Sequence, residues 1–262
     1  SGTPDNTKFL RGDNVWAEIV GIPWQYQYSP SLGSLLQGEN PGTTQVGVTT
    51  LGIGAGANLG TTSGGASGDS GNTAIGYNAL HLENNEVQCT AVGYKALANQ
   101  NVNSMFAVPS NTAVGYEAGK ECTTSLADTF VGAQCKSVNA GQSMNNVGVG
   151  RSALKNLGTG TSNVALGSRA LENVVANTGN IAIGWNANNG LTTGNNNIVI
   201  GDQAQPSSLT VSNEVTLGNN NIQNTHLKGN VLVGSGDVGI GTNNPDTPLH
   251  VVGNVKIETT GS

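Results

Sequence analysis

The sequence predicts an all-β protein built as a stack of short coils whose strands pair in parallel. Three observations lead there. One phrase recurs ten times: N-T-A-I-G-Y-N-A at Asn72–Ala79, C-T-A-V-G-Y-K-A from Cys89, N-T-A-V-G-Y-E-A from Asn111, D-T-F-V-G-A-Q-C from Asp128, N-V-G-V-G-R-S-A from Asn146, N-V-A-L-G-S-R-A from Asn163, N-I-A-I-G-W-N-A from Asn180 and N-I-V-I-G-D-Q-A from Asn197, with degenerate copies at Thr50–Ala57 and Glu214–Asn221. Its marker glycines, from Gly54 to Gly218, are spaced 22, 17, 22, 17, 18, 17, 17, 17 and 17 residues apart. A fixed short period is the signature of a solenoid, in which each unit buries its apolar side only against its neighbours. Lastly, the phrase is too short for a helix and places β-branched residues directly before a glycine, which favours strand followed by turn.

Each element of the repeat has an expected role. In a strand, side chains alternate between two faces. The fourth position is aliphatic in every copy (Ile53, Ile75, Val92, Val114, Val131, Val149, Leu166, Ile183, Ile200 and Leu217) and is expected to face the core of the coil. The second position, Thr73, Thr90, Thr112 and Thr129 followed by Val147, Val164, Ile181 and Ile198, shares that face. The third position is mostly tiny: Ala74, Ala91, Ala113, Gly148, Ala165 and Ala182. Smallness implies a closely approaching backbone, either a second layer of the same coil or another subunit. Phe130 and Val199 interrupt this column and require local space. The first-position asparagines (Asn72, Asn111, Asn146, Asn163, Asn180 and Asn197) are expected to stack into an amide ladder. Ala79–Asn84 and Ala170–Val174 have helical composition but are too short to stand alone.

At about 4.8 Å per coil, nine intervals give a rod of roughly 43 Å. Two or three sizeable apolar side chains per coil are a thin core for ordering about 17 residues, so several chains pooling their apolar faces, as a homo-oligomer, is the expected solution.

The array occupies residues 49–221. Residues 1–48 lack the repeat and hold five of the eleven aromatic residues, Phe9, Trp16, Trp24, Tyr26 and Tyr28; residues 222–262 change character again. Two coils carry five-residue insertions, at Asn58–Gly71 and Ala98–Ser110.

Composition narrows the function. Charged residues are 10% of the chain, against about 25% in typical domains. Asparagines number 35 and glycines 39 among 262 residues, so the chain is built for turns and ladders. A net charge of −6 argues against nucleic acid, which requires a basic face. No apolar run approaches the ~20 residues of a membrane span. Cys89, Cys122 and Cys135 are an odd, unpatterned set, so neither a disulfide framework nor a zinc site is expected. His81, His226 and His250 are isolated, and no metal or cofactor is expected. G-D-S-G at Gly68–Gly71 resembles a protease nucleophile region only locally and is read as an insertion loop. G-I-G-A-G at Gly52–Gly56 belongs to the repeat and has no G-K-[ST] after it. R-G-D at Arg11–Asp13 lies inside a longer phrase discussed next. No catalytic residues are expected. The ligand-binding candidates are Trp24, Tyr26 and Tyr28, which alternation places on one face of a strand, where rings can stack on sugars. The competing reading of this strip is a cap over the first coil, which a stacked array requires.

The repeat resembles the head repeats of trimeric autotransporter adhesins (YadA-like heads), with their N-x-V-A-I-G-x-x-A pattern. T-K-F-L-R-G-D-N-V-W-A at Thr7–Ala17 is similar to a junction phrase of phage tail fibres and of fibre-like adhesins of predatory bacteria. V-G-I-G-T-N-N-P at Val238–Pro245 with L-H-V-V-G-N-V-K-I at Leu249–Ile257 is similar to the segment that precedes a self-cleaving intramolecular chaperone in such fibres. The resemblance implies a left-handed parallel β-roll in a homotrimer, a chaperone removed after residue 262, and an extracellular setting on a cell surface or virion fibre. It further implies a non-enzymatic fibre or adhesin that attaches to host or prey glycans or proteins without inserting into the membrane. The alternatives are a structural spacer carrying a tip elsewhere, a polysaccharide-processing enzyme on a β-solenoid, and ice binding through the threonine column.

Overall fold

The structure, a computed structural model, describes residues 51–54, 72–82, 88–100, 110–138, 141–228, 231–234 and 236–255, together with the backbone of four short strands before residue 50. It divides into two units, Ser1–Asn221 and Ile222–Ser262. Among the described residues there is no helix.

In the first unit, β1 (Lys8–Leu10) pairs antiparallel with β2 (Trp16–Glu18). The hairpin of β3 (Gln25–Ser29) and β4 (Ser34–Gly38) leads into β5 (Leu51–Ile53), which pairs with β4 in parallel. The repeat phrases then supply β6 (Thr73–Ile75), β7 (Thr90–Val92), β8 (Thr112–Val114), β9 (Thr129–Val131), β10 (Val147–Val149), β11 (Val164–Leu166), β12 (Ile181–Ile183), β13 (Ile198–Ile200) and β14 (Val215–Leu217). These strands pair in sequence order, all parallel from β4 onward, within a twelve-stranded sheet whose end strands are β3 and β14. The architecture is therefore a parallel β-solenoid with a turn of about 17 residues.

Register is strict. Each repeat position faces its own kind in the next turn, as in Val164↔Ile181, Ala165↔Ala182 and Leu166↔Ile183. The two 22-residue intervals obey the same rule, with Leu51↔Thr73 and Thr90↔Thr112. The ladder is thus unshifted across both intervals; 55–71 and 101–109 lie outside the described residues.

The marker glycine explains why the period is so visible. It adopts φ between +130° and +138° from Gly76 to Gly201, a region closed to side chains. A Cβ at Gly167 would also lie 2.3 Å from the carbonyl oxygen of Gly184, and one at Gly184 2.4 Å from that of Gly201. Beyond the glycine, two residues per turn, two positions apart, take left-handed φ: Arg169 (62°) and Leu171 (49°), Asn186 (57°) and Asn188 (49°), Ser152 (59°) and Leu154 (52°). Alternation of this kind excludes a helix at Ala170–Val174. Each such non-glycine residue costs about 1–2 kcal/mol. Inter-turn hydrogen bonds hold them in place, for example Arg169 N–H to the Arg151 carbonyl at 2.9 Å and Leu171 N–H to the Ala187 carbonyl at 3.1 Å.

The inside and outside of the strand are the reverse of the expectation from side-chain size. The tiny third column is the buried one: Ala74, Ala91, Ala113, Phe130, Ala165, Ala182 and Val199 are fully enclosed. The second and fourth columns point outward. Val114, Val149, Leu166, Ile183 and Ile200 are 36–38% exposed although they are the largest apolar residues of the strand. The physical reason is the width of the turn. Its bulk comes from the opposite wall, where Ala79, Leu80, Ala96, Leu97, Ala153, Leu154, Ala170 and Leu171 are buried in one cluster with the strand alanines. Leucines entering from that wall leave room for only a methyl on the strand. Of the two partners considered for the small column, it is the second layer of the same coil that approaches.

The first column completes the interior as a hydrogen-bonded ladder. Each side-chain oxygen accepts the backbone N–H of the corresponding residue one turn on: Asn146 Oδ1 from Asn163 N (2.9 Å), Asn163 Oδ1 from Asn180 N (3.0 Å), Asn180 Oδ1 from Asn197 N (3.0 Å) and Asn197 Oδ1 from Glu214 N (2.9 Å). The amide nitrogens donate to carbonyls on the far wall, as Asn163 Nδ2 does to Asn177 (2.7 Å) and Asn180 Nδ2 to Gly194 (3.0 Å). The ladder therefore ties the strand to the opposite wall and satisfies backbone groups that a narrow interior could not otherwise pair.

In the second unit β15 (Val238–Ile240) pairs in parallel with β16 (Leu249–Val251). None of its described residues is buried.

Candidate functional surface

Two features dominate the exposed surface of the solenoid. The first is the strand face itself. From β6 to β13 it carries two straight columns of β-branched and aliphatic side chains in register. The first four turns present Thr73, Thr90, Thr112 and Thr129 beside Ile75, Val92, Val114 and Val131. The next four present Val147, Val164, Ile181 and Ile198 beside Val149, Leu166, Ile183 and Ile200. Over the last four turns this face is wholly aliphatic, with Val149, Leu166, Ile183 and Ile200 36–38% exposed.

The second feature is the sixth column, immediately after the marker glycine. Tyr77, Tyr94 and Tyr116 form a stack along the solenoid, with ring centroids 5.4 Å and 5.3 Å apart and planes within 12° and 6°. Lys95 Nζ lies 5.3 Å from the centroid of the Tyr94 ring, in cation–π range. After Tyr116 the column continues as Ala133, Arg151, Ser168, Trp185 and Asp202. Trp185 is 47% exposed. The sequence signal for this column is the tyrosine that follows T-A-I-G or T-A-V-G in three successive copies, a pattern distinct from any catalytic or metal motif.

The candidates from the sequence are placed as follows. Tyr26 and Tyr28 belong to β3, the terminal strand of the sheet, where they lie opposite Gln37 and Leu35 of β4. Trp24 lies outside the described residues, as do the side chains of Tyr26 and Tyr28. G-D-S-G at Gly68–Gly71 and R-G-D at Arg11–Asp13 are likewise outside them. Among the described residues no group of His, Cys, Asp and Glu could hold a metal ion, and no helix is long and apolar enough to cross a membrane.

The cysteines are interior packing groups. Cys89, Cys122 and Cys135 are all buried. Burial pushes the Cys122 thiol up to about 11 and raises Cys135 further in the same direction, so neither is a reactive thiolate near neutral pH. Cys135 Sγ donates to the Gly148 carbonyl at 3.3 Å. Asp128 places a buried carboxylate in the amide ladder. Its Oδ1 accepts from Asn146 N (2.7 Å) and Nδ2 (3.0 Å), and its Oδ2 accepts from Ser143 Oγ, which in turn contacts Ser125 Oγ at 2.9 Å. Burial raises its pKa above the usual aspartate value, against the opposing effect of these hydrogen bonds and of Lys136. Asp128 is thus a ladder rung without access to a substrate.

Compared with known protein families, curated proteins and solved structures, the chain matches none.

Proposed function

We propose that this chain is a non-enzymatic adhesin or fibre domain: a left-handed β-roll of about ten turns, assembled as a homotrimer outside the cell or on a virion fibre, that attaches to glycans on a host or prey surface. The observation that carries the reading is the outward aliphatic face of β6–β13. In β10 to β13 the larger strand side chains lie outward and the smaller one is buried, which leaves an aliphatic face on each chain. Three copies whose strand faces meet around a common axis would bury those columns and pool the apolar surface that a single narrow turn lacks. The number three, the handedness and the attachment role come from the resemblance of the repeat and of the two end phrases. Three copies of a shallow site on one rod suit binding through avidity.

The test has two parts. Light scattering at micromolar concentration is expected to give three times the chain mass, and Ile183→Asp, which places a charge on the outward face, is expected to give a folded monomer. A monomeric wild-type chain would overturn the assembly. A glycan array is expected to show binding; an array without any, together with no binding to whole cells, would leave the spacer reading in its place.

A further inference from the structure

We infer that the sixth column holds a ring-binding slot at Ala133, between the open face of Tyr116 and Arg151, and that it takes a pyranose unit bearing a carboxylate. This rests on the attachment reading above and names the chemical class of its ligand.

The geometry comes from the stack and its interruption. Tyr94 has a ring on both sides and is 41% exposed, whereas Tyr116, whose stack partner is Tyr94, is 51% exposed. The extra exposure fits one free ring face. That face points along the solenoid toward the next sixth-position residue, which is Ala133, because Thr112 and Thr129 are in register one turn apart. Arg151 follows one turn later, since Thr129 is in register with Val147, and it is exposed. Two turns separate Tyr116 from Arg151, about 9.6 Å at the spacing of paired strands. A ring stacked on Tyr116 sits about 3.5–4 Å away, which leaves roughly 5–6 Å to the turn that carries the guanidinium. The methyl of Ala133 is the only side-chain bulk rooted in that turn's sixth position.

The chemistry follows from the two walls. A tyrosine face accepts the C–H face of a sugar while leaving its hydroxyls in water. An arginine fork matches a carboxylate with two parallel hydrogen bonds. Gln134, next to Ala133, adds a neutral amide. The nearby acid is Glu117; it pairs with Lys120 at 3.3 Å and accepts from Gln134 Nε2 at 3.5 Å, so its charge is already compensated. A neutral sugar would use the tyrosine wall alone. One such slot on each chain gives a trimer three copies around the rod, suited to binding a surface that displays many acidic sugar units.

The experiment is calorimetric titration of the full chain with a hexasaccharide of alternating glucuronic acid and N-acetylglucosamine, against the neutral N-acetylglucosamine hexamer. The acidic probe is expected to bind at least tenfold more tightly. Ala133→Tyr, which extends the existing stack into the slot, is expected to lower binding of both probes at least tenfold without lowering the melting temperature. Arg151→Gln, at an exposed position, is expected to remove the preference and leave the neutral probe unchanged. Equal affinity for the two probes, no binding of the acidic one, or undiminished binding by Ala133→Tyr would each overturn the slot. Whole-cell binding separates the two levels: cells still bound by Ala133→Tyr sink the slot and leave the attachment role standing, whereas a wild-type chain that binds no cells sinks the attachment role itself.

Discussion

The turns from Asn111 to Gly150 and those from Asn163 to Gly201 share one backbone and differ in how they fill it. The later turns are regular: asparagine at the ladder, alanine or valine on the inner strand position, and Leu171 and Leu191 entering from the opposite wall. The earlier turns break nearly every one of these rules. Phe130 replaces the inner alanine, Asp128 the ladder asparagine, Lys136 and Gly119 the ninth-position leucine, and Cys135 the eighth-position alanine. Yet Phe130 is fully buried and the register across β8, β9 and β10 does not slip. The irregular residues compensate one another. A Cβ at Gly119 would lie 3.2 Å from Phe130 Cδ2, and one at Gly148 3.4 Å from Phe130 Cδ1. The phenyl ring therefore occupies space that the turns on either side release by carrying glycine. The comparison teaches that the repeat constrains the summed volume of neighbouring turns more than the residue in any one turn.

The largest effect should come from imposing bulk where no neighbour yields. Ala165 is fully buried between Gly148 and Ala182 in the regular inner column. Ala165→Trp is expected to remove the folded state altogether, beyond the ~1–3 kcal/mol of ordinary overpacking. Circular dichroism and a melting curve check this. A folded variant that merely failed to assemble would show that the column faces a subunit after all.

The next effect comes from the compensated pair. Phe130→Ala is expected to cost about 3–5 kcal/mol through the cavity it leaves. Gly148→Ala should also destabilise, because its methyl would lie 2.6 Å from Cys135 Sγ and 3.2 Å from Leu154 Cδ1. The double variant should be less destabilised than the sum, since Cys135 can shift into the space the ring vacates. Additive losses in denaturant unfolding would mean that the two turns do not share volume.

How much of this was legible beforehand follows from the same contrast. The period, the strand positions, the parallel pairing, the amide ladder and the turn role of the glycine could all be read, because each depends on a residue type that only one backbone geometry accommodates. The direction of the strand could not. Parity says that Ala165 and Leu166 lie on opposite faces, and size alone assigned Leu166 to the inside. What decides the matter is Leu171, in a stretch whose composition suggested a helix and whose left-handed φ is invisible in sequence. The space that Phe130 requires was anticipated; its source in Gly119 and Gly148 was not, because one lies a turn before it and the other a turn after. The tyrosine column was in plain view, but its meaning depended on knowing that the sixth position points outward.

A smaller effect is expected at the one poorly filled rung of the regular half. Asn188 stands where Leu154 and Leu171 stand in the preceding turns, and it is fully buried with neither Oδ1 nor Nδ2 hydrogen-bonded. An unsatisfied buried polar group costs about 1–3 kcal/mol. Asn188→Leu should therefore stabilise the solenoid, by less than this amount because asparagine tolerates the left-handed φ of 49° better than leucine does. Leu171 adopts the same φ of 49°, so the backbone accepts the change. Unaltered or lowered stability in denaturant would place a hydrogen-bond partner on Asn188.

The smallest effect concerns the charge in the irregular half and is read from pH rather than from a single condition. Burial raises the Asp128 pKa in the folded chain, so the folded state holds that proton more tightly than the unfolded state does. Its contribution to stability is then fully present below the ordinary aspartate value, falls as pH rises through the window between that value and the raised one, and is constant above it. Asp128→Asn restores the rung found in the regular turns: Oδ1 can still accept from Asn146, and Nδ2 can donate to Ser143 Oγ, which is free to turn its own hydrogen toward Ser125. The variant should lose this acid-side slope. Its stability relative to wild type should be greatest at neutral pH and shrink as the pH falls through the window. The attraction between Asp128 and Lys136 works against the gain but is the weakest of the effects on its pKa, behind burial and the hydrogen bonds from Ser143 and Asn146. Unfolding curves from pH 3 to pH 8 decide it: an unchanged slope in the variant would mean that Asp128 keeps its ordinary pKa in the fold, and that the two halves of the array differ in packing alone.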